Sequence, residues 1–317
     1  MRNIYSNIFK INKKNIFKTV NFLKKKDLVA LPTETVYGLA GNAYSDISVK
    51  KIYRIKKRPK KNPLIIHYHS LSQIRKDAIL NKDFFKLYRK FCPGPLTFIL
   101  KKKKTSKVSS FATAKLKTIA VRIPRNKVIR QILKLIDFPL AMPSANKSTK
   151  VSSVTAQNVV NEFDKTIRII LDGGRSKIGI ESTVIDLTLG AKILRPGLIL
   201  PSNISRILKK KVKIIKNTKN IKSPGQLKKH YSPGIPIKLN QKKIKKNIAF
   251  IAFGKKYKTG KNIFNLSYKS DLNEAARNLY RILRTIKNCH YKMIYVSKIP
   301  QKGIGIAIND RLNRAAN

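Results

Sequence analysis

The chain has 317 residues, 42% of them hydrophobic, which suits one large domain plus a small one and excludes wholesale disorder. Its formal charge of +57 (71 Lys+Arg against 14 Asp+Glu) points to polyanions such as RNA or nucleotides; because lysine is abundant in every segment, function is read only from cations inside motifs. There is no run of about 18 apolar residues, so no membrane-spanning helix or membrane partner is expected, and two cysteines in unrelated contexts, Cys92 and Cys289, give no disulfide framework or metal-ligand spacing and suggest a reducing, cytoplasmic setting.

In chain order, Ile16, Phe17, Val20 and Leu23 recur at helical spacing and predict a first helix with these four on its core face. Apolar runs at 28–33, 63–68, 96–102, 118–124, 139–144, 168–174, 182–188 and 191–197 read as strands. Helical patterns fall near 46–57, 71–91, 126–136 and 155–163, the last with Thr155 as a plausible N-cap. This alternation predicts an α/β domain with a mixed sheet over 1–205. From 206 to 240 two Ser-Pro-Gly units and many lysines replace the periodicity and read as a linker. A strand at 247–254, a helix at 270–286, a strand at 293–299 and a closing helix then make a small α/β C-terminal domain over 241–317.

Residues 32–67 carry the densest chemistry: a Thr-Glu-Thr turn, a basic knot Lys56-Lys57-Arg58-Pro59, then Asn62 and His67. Pro59 ends the helix, so Lys56 and Arg58 lie at a chain turn, where an ammonium and a guanidinium can face one anion. Pro143-Ser144-Ala145-Asn146 follows a buried strand and offers a hydroxyl and an amide for phosphate or sugar oxygens. Arg122 closes a strand of β-branched residues; a buried arginine wants a carboxylate, which is expected here from a ligand. Asp172-Gly173-Gly174, Glu181-Ser182-Thr183, Arg195-Pro196-Gly197 and, in the linker, His230-Tyr231-Ser232-Pro233 complete the set, with the aromatic suited to a nucleotide base. There is no GxxxxGK[ST] loop, no GxGxxG after the first strand, no HExxH and no GxSxG, so phosphate handling must rest on scattered cations and hydroxyls.

The segments PTETVYGL, KxRP with NPLIIH, PGPLTFIL, VRIP, PSAN, DGGRSKIGIESTVID and LRPG, in this order, resemble the YrdC-type threonylcarbamoyl-AMP synthases. SPGQLKKHYSP and GIGIAINDRLNRAA are similar to the long form, which carries an extra C-terminal domain. The resemblance implies a twisted, open mixed sheet of YrdC-like type, a linker closing over the active site, and a small Rossmann-like C-terminal domain. It implies an enzyme joining L-threonine, bicarbonate and ATP into threonylcarbamoyl-adenylate with release of pyrophosphate, for modification of tRNA. By the match, Lys56, Arg58, Ser144 and Asn146 form a catalytic tetrad around ATP and bicarbonate. Threonine is held by Thr33 or Thr35 with His67, Arg122, Met142 and Ser182. ATP further meets Asn62, Thr118, Ser152, Arg195 and Tyr231. Mg²⁺ is expected to arrive on the triphosphate and not in a protein cage. A downstream threonylcarbamoyl-transferase complex is the expected recipient, with a tRNA contact left open.

The sequence departs from the family at three places: Cys92 stands where Trp is usual, Met142 where a smaller residue is usual, and Lys57 where glycine is common. A second reading, resting on the charge, keeps the fold without the activity as a protein binding tRNA or double-stranded RNA. A third, a carbamoyl-transfer relative as in hydrogenase maturation, expects zinc-finger cysteines that the chain lacks.

Overall fold

A computed structural model describes residues 5–215, 230–257 and 260–317. The first unit runs β1 (Ile8–Lys10), α1 (Lys13–Lys24), β2 (Val29–Leu31), β3 (Gly38–Asn42), α2 (Asp46–Lys56), β4 (Ile65–His67), α3 (Leu71–Asp77), β5 (Ala78–Ile79) and α4 (Lys82–Phe91). It continues with β6 (Leu96–Lys102), β7 (Thr118–Arg122), α5 (Lys127–Lys134), β8 (Leu140–Ala141), α6 (Ala156–Phe163), β9 (Ile170–Asp172), β10 (Thr183–Asp186), β11 (Lys192–Arg195), α7 (Pro201–Leu208) and β12 (Lys213–Ile214). The second unit holds β13 (Ile237–Lys238), β14 (Ala249–Ala252), β15 (Ile263–Asn265), α8 (Leu272–Lys287), β16 (Ile294–Val296) and α9 (Gly305–Ala316).

The first unit is built on one mixed sheet in the order β1-β9-β2-β3-β8-β4-β7-β6-β10-β11-β12, with β5 against the far end of β6. Period-two alternation divides its side chains between two faces. Ala30, Leu39 and Ile66 enter one core with Ile52 of α2 and Phe84 of α4. Their neighbours Val29, Leu31 and Ala40 enter another with α1 and α5. Asn12, Ser45, Asn81 and Thr155 cap α1, α2, α4 and α6, each accepting an orphan N–H on a short polar side chain.

The second unit has four parallel strands in the order β13-β16-β14-β15, with α8 and α9 packed against one face. Its core is shared with the first unit, because Val36, Val151, Val154 and Ile180 are buried among Ala275, Leu279, Ile282 and Ile308. That apolar seam fixes the second unit next to the β2–β3 turn.

Three expectations change. Phe17 is 45% exposed, and Thr19 takes its place with Ile16, Val20 and Leu23 on the buried side of α1. The helical span 71–91 is two helices, since β5 adds an extended step along β6 and Asn81 starts a new cap. Of the span 206–240, the first residues finish α7 and form β12, the last include β13, and 216–229 lie outside the described residues. Among the described residues no helix is long and apolar enough to cross a membrane, and both cysteines are free.

Candidate active site

The β2–β3 turn and the ends of four strands converge on one cleft. Its walls include Thr33 and Thr35 from the turn, His67 ending β4, Arg122 ending β7, and Arg195 ending β11. Met142, Pro143 and Ser144 follow β8, Arg58 follows α2, and Glu181 precedes β10; His230 and Tyr231 close the circle. The sheet enforces this meeting. β4 and β7 are parallel, with His67 opposite Arg122, and β8 runs antiparallel between β3 and β4. Met142 N–H donates to the Ile65 carbonyl, and Gly38 bridges Ser144, so the 142–145 segment extends the sheet beside the turn.

The Thr-Glu-Thr turn is wound by its own side chains. Thr33 Oγ1 accepts the N–H groups of Thr35 and Val36 at 3.1 and 3.2 Å, and lies 2.8 Å from Thr35 Oγ1. Glu34 points away from the cleft and accepts Arg122 Nη2 at 2.7 Å and the N–H groups of Arg125 and Asn126. Burial pushes the Glu34 carboxyl up, but the Arg122 guanidinium and backbone N–H groups together hold it below its ordinary value. Arg122 therefore already has a carboxylate partner within the protein, which the sequence reading did not foresee. Arg122 also donates Nη1 to Thr35 and Nε to the Gly94 carbonyl, so three of the five N–H donors of a guanidinium are engaged.

Lys56 does not line the cleft. Its ammonium donates to the carbonyls of Ser144 and Asn146, so it staples the Pro-Ser-Ala-Asn loop to the end of α2. Full burial drives its pKa well below the usual lysine value, helped by the Arg58 charge. Lys57 caps α2 in the left-handed region at φ 50°, which turns the chain so that Arg58 faces inward. Arg58 is anchored by Nε to the Asn62 carbonyl and by Nη2 to the Pro63 carbonyl at 2.8 Å. Asn146 spends its amide N–H groups on the carbonyls of Lys147 and Lys150, leaving Oδ1 buried and unpartnered.

The two histidines are uncharged. Burial depresses His67 well below its usual range and takes His230 down to about 3. His67 Nδ1 faces the Ile65 carbonyl at 3.3 Å, so that nitrogen carries the proton, and the buried Nε2 is an acceptor without a partner. Glu181, the only carboxylate on the cleft wall among the described residues, is saturated: it accepts Ser152 Oγ, Tyr280 Oη and Arg311 Nε. Burial raises its pKa, but Arg311 and Arg195 together bring it to about 2. The cleft thus presents Arg58, Arg122 and Arg195 against one neutralised carboxylate, an arrangement suited to anions.

Of the residues singled out from sequence, Thr33, Thr35, Arg58, His67, Arg122, Met142, Ser144, Arg195 and Tyr231 share this cleft. Lys56, Asn146, Ser152 and Ser182 stand behind the wall, with Ser182 Oγ bonded to Arg195 Nη2 and Thr97. Asn62 is fully buried with both amide atoms unpartnered, a group that a water or a ligand would satisfy. Thr118 starts the strand that Arg122 ends, roughly 13 Å away at the usual strand rise, and is apart from the cleft. Sequence reasoning gave no role to Glu34, Gly38, Tyr280 or Arg311. Glu34, Gly38 and Arg311 lie inside quoted motifs, but their partners are at large sequence separation, so the local pattern does not show what they do.

Residues 21–197 match the family model described as "Telomere recombination" (Sua5, YciO and YrdC), and 199–317 match one described as "Threonylcarbamoyl-AMP synthase, C-terminal domain". A threonylcarbamoyl-AMP synthase of Pyrococcus abyssi is 35% identical over 93% of this chain and 92% of its own. One of Bacillus subtilis is 33% identical over 96% and 94%. The crystal structure of Pyrococcus abyssi Sua5 complexed with L-threonine superposes with a TM-score of 0.88 at 31% identity, covering 98% of this chain and 97% of that one.

Proposed function

The chain belongs to the Sua5–YciO–YrdC family and, across both units, to its threonylcarbamoyl-AMP synthases, and on that premise we infer how the cleft makes threonylcarbamoyl-adenylate. The observation that carries the reading is the meeting, in one cleft, of a Thr-Glu-Thr turn, a neutral histidine and three arginines. Threonine fits between the turn, His67 and Arg122. The two guanidinium donors not engaged by Glu34, Thr35 and Gly94 can take its carboxylate, and His67 Nε2 can accept a hydrogen from its amine or hydroxyl.

The amine, once neutral, attacks bicarbonate or the CO₂ derived from it, giving a carbamate and water. A carbamate oxygen then attacks the α-phosphorus of ATP, and pyrophosphate leaves. Every reactant on this path carries or develops negative charge, so the site needs fixed cations more than an acid–base pair. Arg58 and Arg195 suit the triphosphate, and the Ser144 hydroxyl suits bicarbonate or a phosphate oxygen. Lys56 and Asn146 act by holding that serine's loop. Tyr231 Oη, buried and unpartnered on the cleft wall, and the Asn62 amide suit the nucleotide. Mg²⁺ would be carried by the triphosphate and offset its charge. This fits a wall whose one carboxylate already has its partners. Bringing three reactants into register is the larger share of the catalysis.

The product is a mixed anhydride that hydrolyses unless passed on, so its natural recipient is a threonylcarbamoyl-transferase acting on tRNA in the cytoplasm. Purified protein given threonine, bicarbonate and Mg-ATP is expected to release pyrophosphate well above a no-threonine control, and more with threonine than with serine. Equal release with and without threonine would sink the reading.

A further inference from the structure

Glu181 belongs to the first unit, yet most of what holds it comes from the second. Arg311 Nε of α9 pairs with Oε2 at 2.9 Å, and Tyr280 Oη of α8 donates to the same carboxylate. Both side chains are fully buried. The Arg311 guanidinium carbon also lies 5.2 Å from the centre of the Tyr231 ring, which stacks on Tyr280 at 5.8 Å. Arg311 Nη1 bonds Asp310, a carboxylate that Arg314 shares, so that second acid is matched by its own cation. Arg311 is therefore the cation that pairs directly with the wall carboxylate, while Ser152 and Tyr280 contribute hydrogen bonds without charge.

An unpaired carboxylate on the wall of a cleft built for anions would oppose the substrate, because charge is poorly screened in so buried a setting. Arg195, the other cation nearby, adds its field to that of Arg311 while its Nε and Nη2 bond Ser182, so Arg311 is the cation in direct contact with the carboxylate. We propose that Arg311 is a positioning residue through which the C-terminal unit makes the cleft fit for a triphosphate: it cancels the charge of Glu181 and seats the Tyr231 ring. The first unit then holds most of the wall and the second supplies the charge that lets an anion enter. Docking of the two units is in this way linked to nucleotide binding, with no contact from Arg311 to substrate required.

The proposal rests on the adenylate-forming reading, and its test keeps the two apart. Pyrophosphate release by the full chain is followed as a function of ATP for wild type, Arg311→Met, Arg311→Lys and the double variant Arg311→Met with Glu181→Gln. Arg311→Met is expected to raise the KM for ATP by about tenfold or more, since one member of a buried pair is left alone. Arg311→Lys keeps the charge but not the fork that bonds both Glu181 and Asp310, so its KM should fall between those of wild type and Arg311→Met. The double variant removes both charges and should recover most of the lost affinity. A folded Arg311→Met protein with the wild-type KM would overturn the proposal. So would a double variant no better than Arg311→Met, because Arg311 would then serve only to dock the units. If Arg311→Met does not fold, Arg311→Lys with and without Glu181→Gln decides: a raised KM in Arg311→Lys that Glu181→Gln does not lower excludes a role for charge. Wild-type protein releasing no pyrophosphate would instead remove the adenylate-forming reading, and the proposal with it.

Discussion

Gly38 shows how little room the cleft leaves at its apolar wall. A Cβ built there would lie 2.5 Å from Met142 Cγ and 2.6 Å from Sδ, so the methionine rests directly on the glycine. Met142 is buried and lines the cleft, so in the reading proposed above it narrows the space for a threonine methyl. Gly38→Ala should push the thioether into that space and raise the KM for threonine roughly tenfold, the scale of one misplaced methyl in a tight pocket. Adding Met142→Ala should restore it; an unchanged KM in Gly38→Ala would show that threonine does not use this wall. His230 gives a second residue-scale expectation. Its folded-state pKa is about 3 against 6.5 for the free group, so below pH 6.5 the unfolded chain binds a proton that the folded chain refuses until about pH 3. Stability is thus highest above pH 6.5 and falls with acid through that window, by up to about 1.4 kcal/mol per pH unit. Denaturant midpoints at pH 7.5 and 5.5 should differ less in His230→Gln than in wild type.

Elements explain why parts of this architecture could be read in the chain and others could not. β6 and β7 were legible because Leu96–Lys102 and Thr118–Arg122 are apolar, β-branched and long enough to show a period. β3 was not, since Gly38 and Gly41 break its pattern: they are small so that Met142 and Leu28 can approach, a demand set by distant residues. β5, β12 and β13 are two residues each, too short to carry periodicity. The site divides in the same way. Arg58 and Arg122 stood out beside helix and strand ends, but Arg122's link to Glu34 spans 88 positions and Arg311's to Glu181 spans 130. The turn after α2 adds a prediction. Lys57 sits at φ 50°, in the left-handed region, where a side chain costs about 1 kcal/mol relative to glycine. Lys57→Gly should therefore raise the unfolding temperature by a few degrees on a domain of this size. A fall would mean that the Lys57 side chain makes contacts that outweigh the backbone strain.

At the scale of the whole molecule the question is what a formal charge of +57 does. Lysines cover the surface, and most are exposed, where each contributes little that salt does not screen. The cations that shape the cleft are different in kind. Arg58, Arg122 and Arg195 are buried, and each is fixed by protein carbonyls, a hydroxyl or a carboxylate, so their charge is already oriented before a substrate enters. Two experiments separate these populations. Arg58→Ala should lower adenylate formation by at least ~100-fold, because it removes a preorganised donor from a buried anion site. Replacing Lys101, Lys102, Lys103 and Lys104 together by glutamine removes four charges, yet should leave the rate within about twofold, since β6 runs away from the cleft toward β5 and the screened surface. Assaying both variants at low and high salt completes the argument. The Arg58 defect should persist at high salt, whereas any effect of the lysine cluster should fade. Equal losses in both variants at low salt, vanishing together at high salt, would mean that bulk charge draws in the nucleotide and that the placement of Arg58 is incidental.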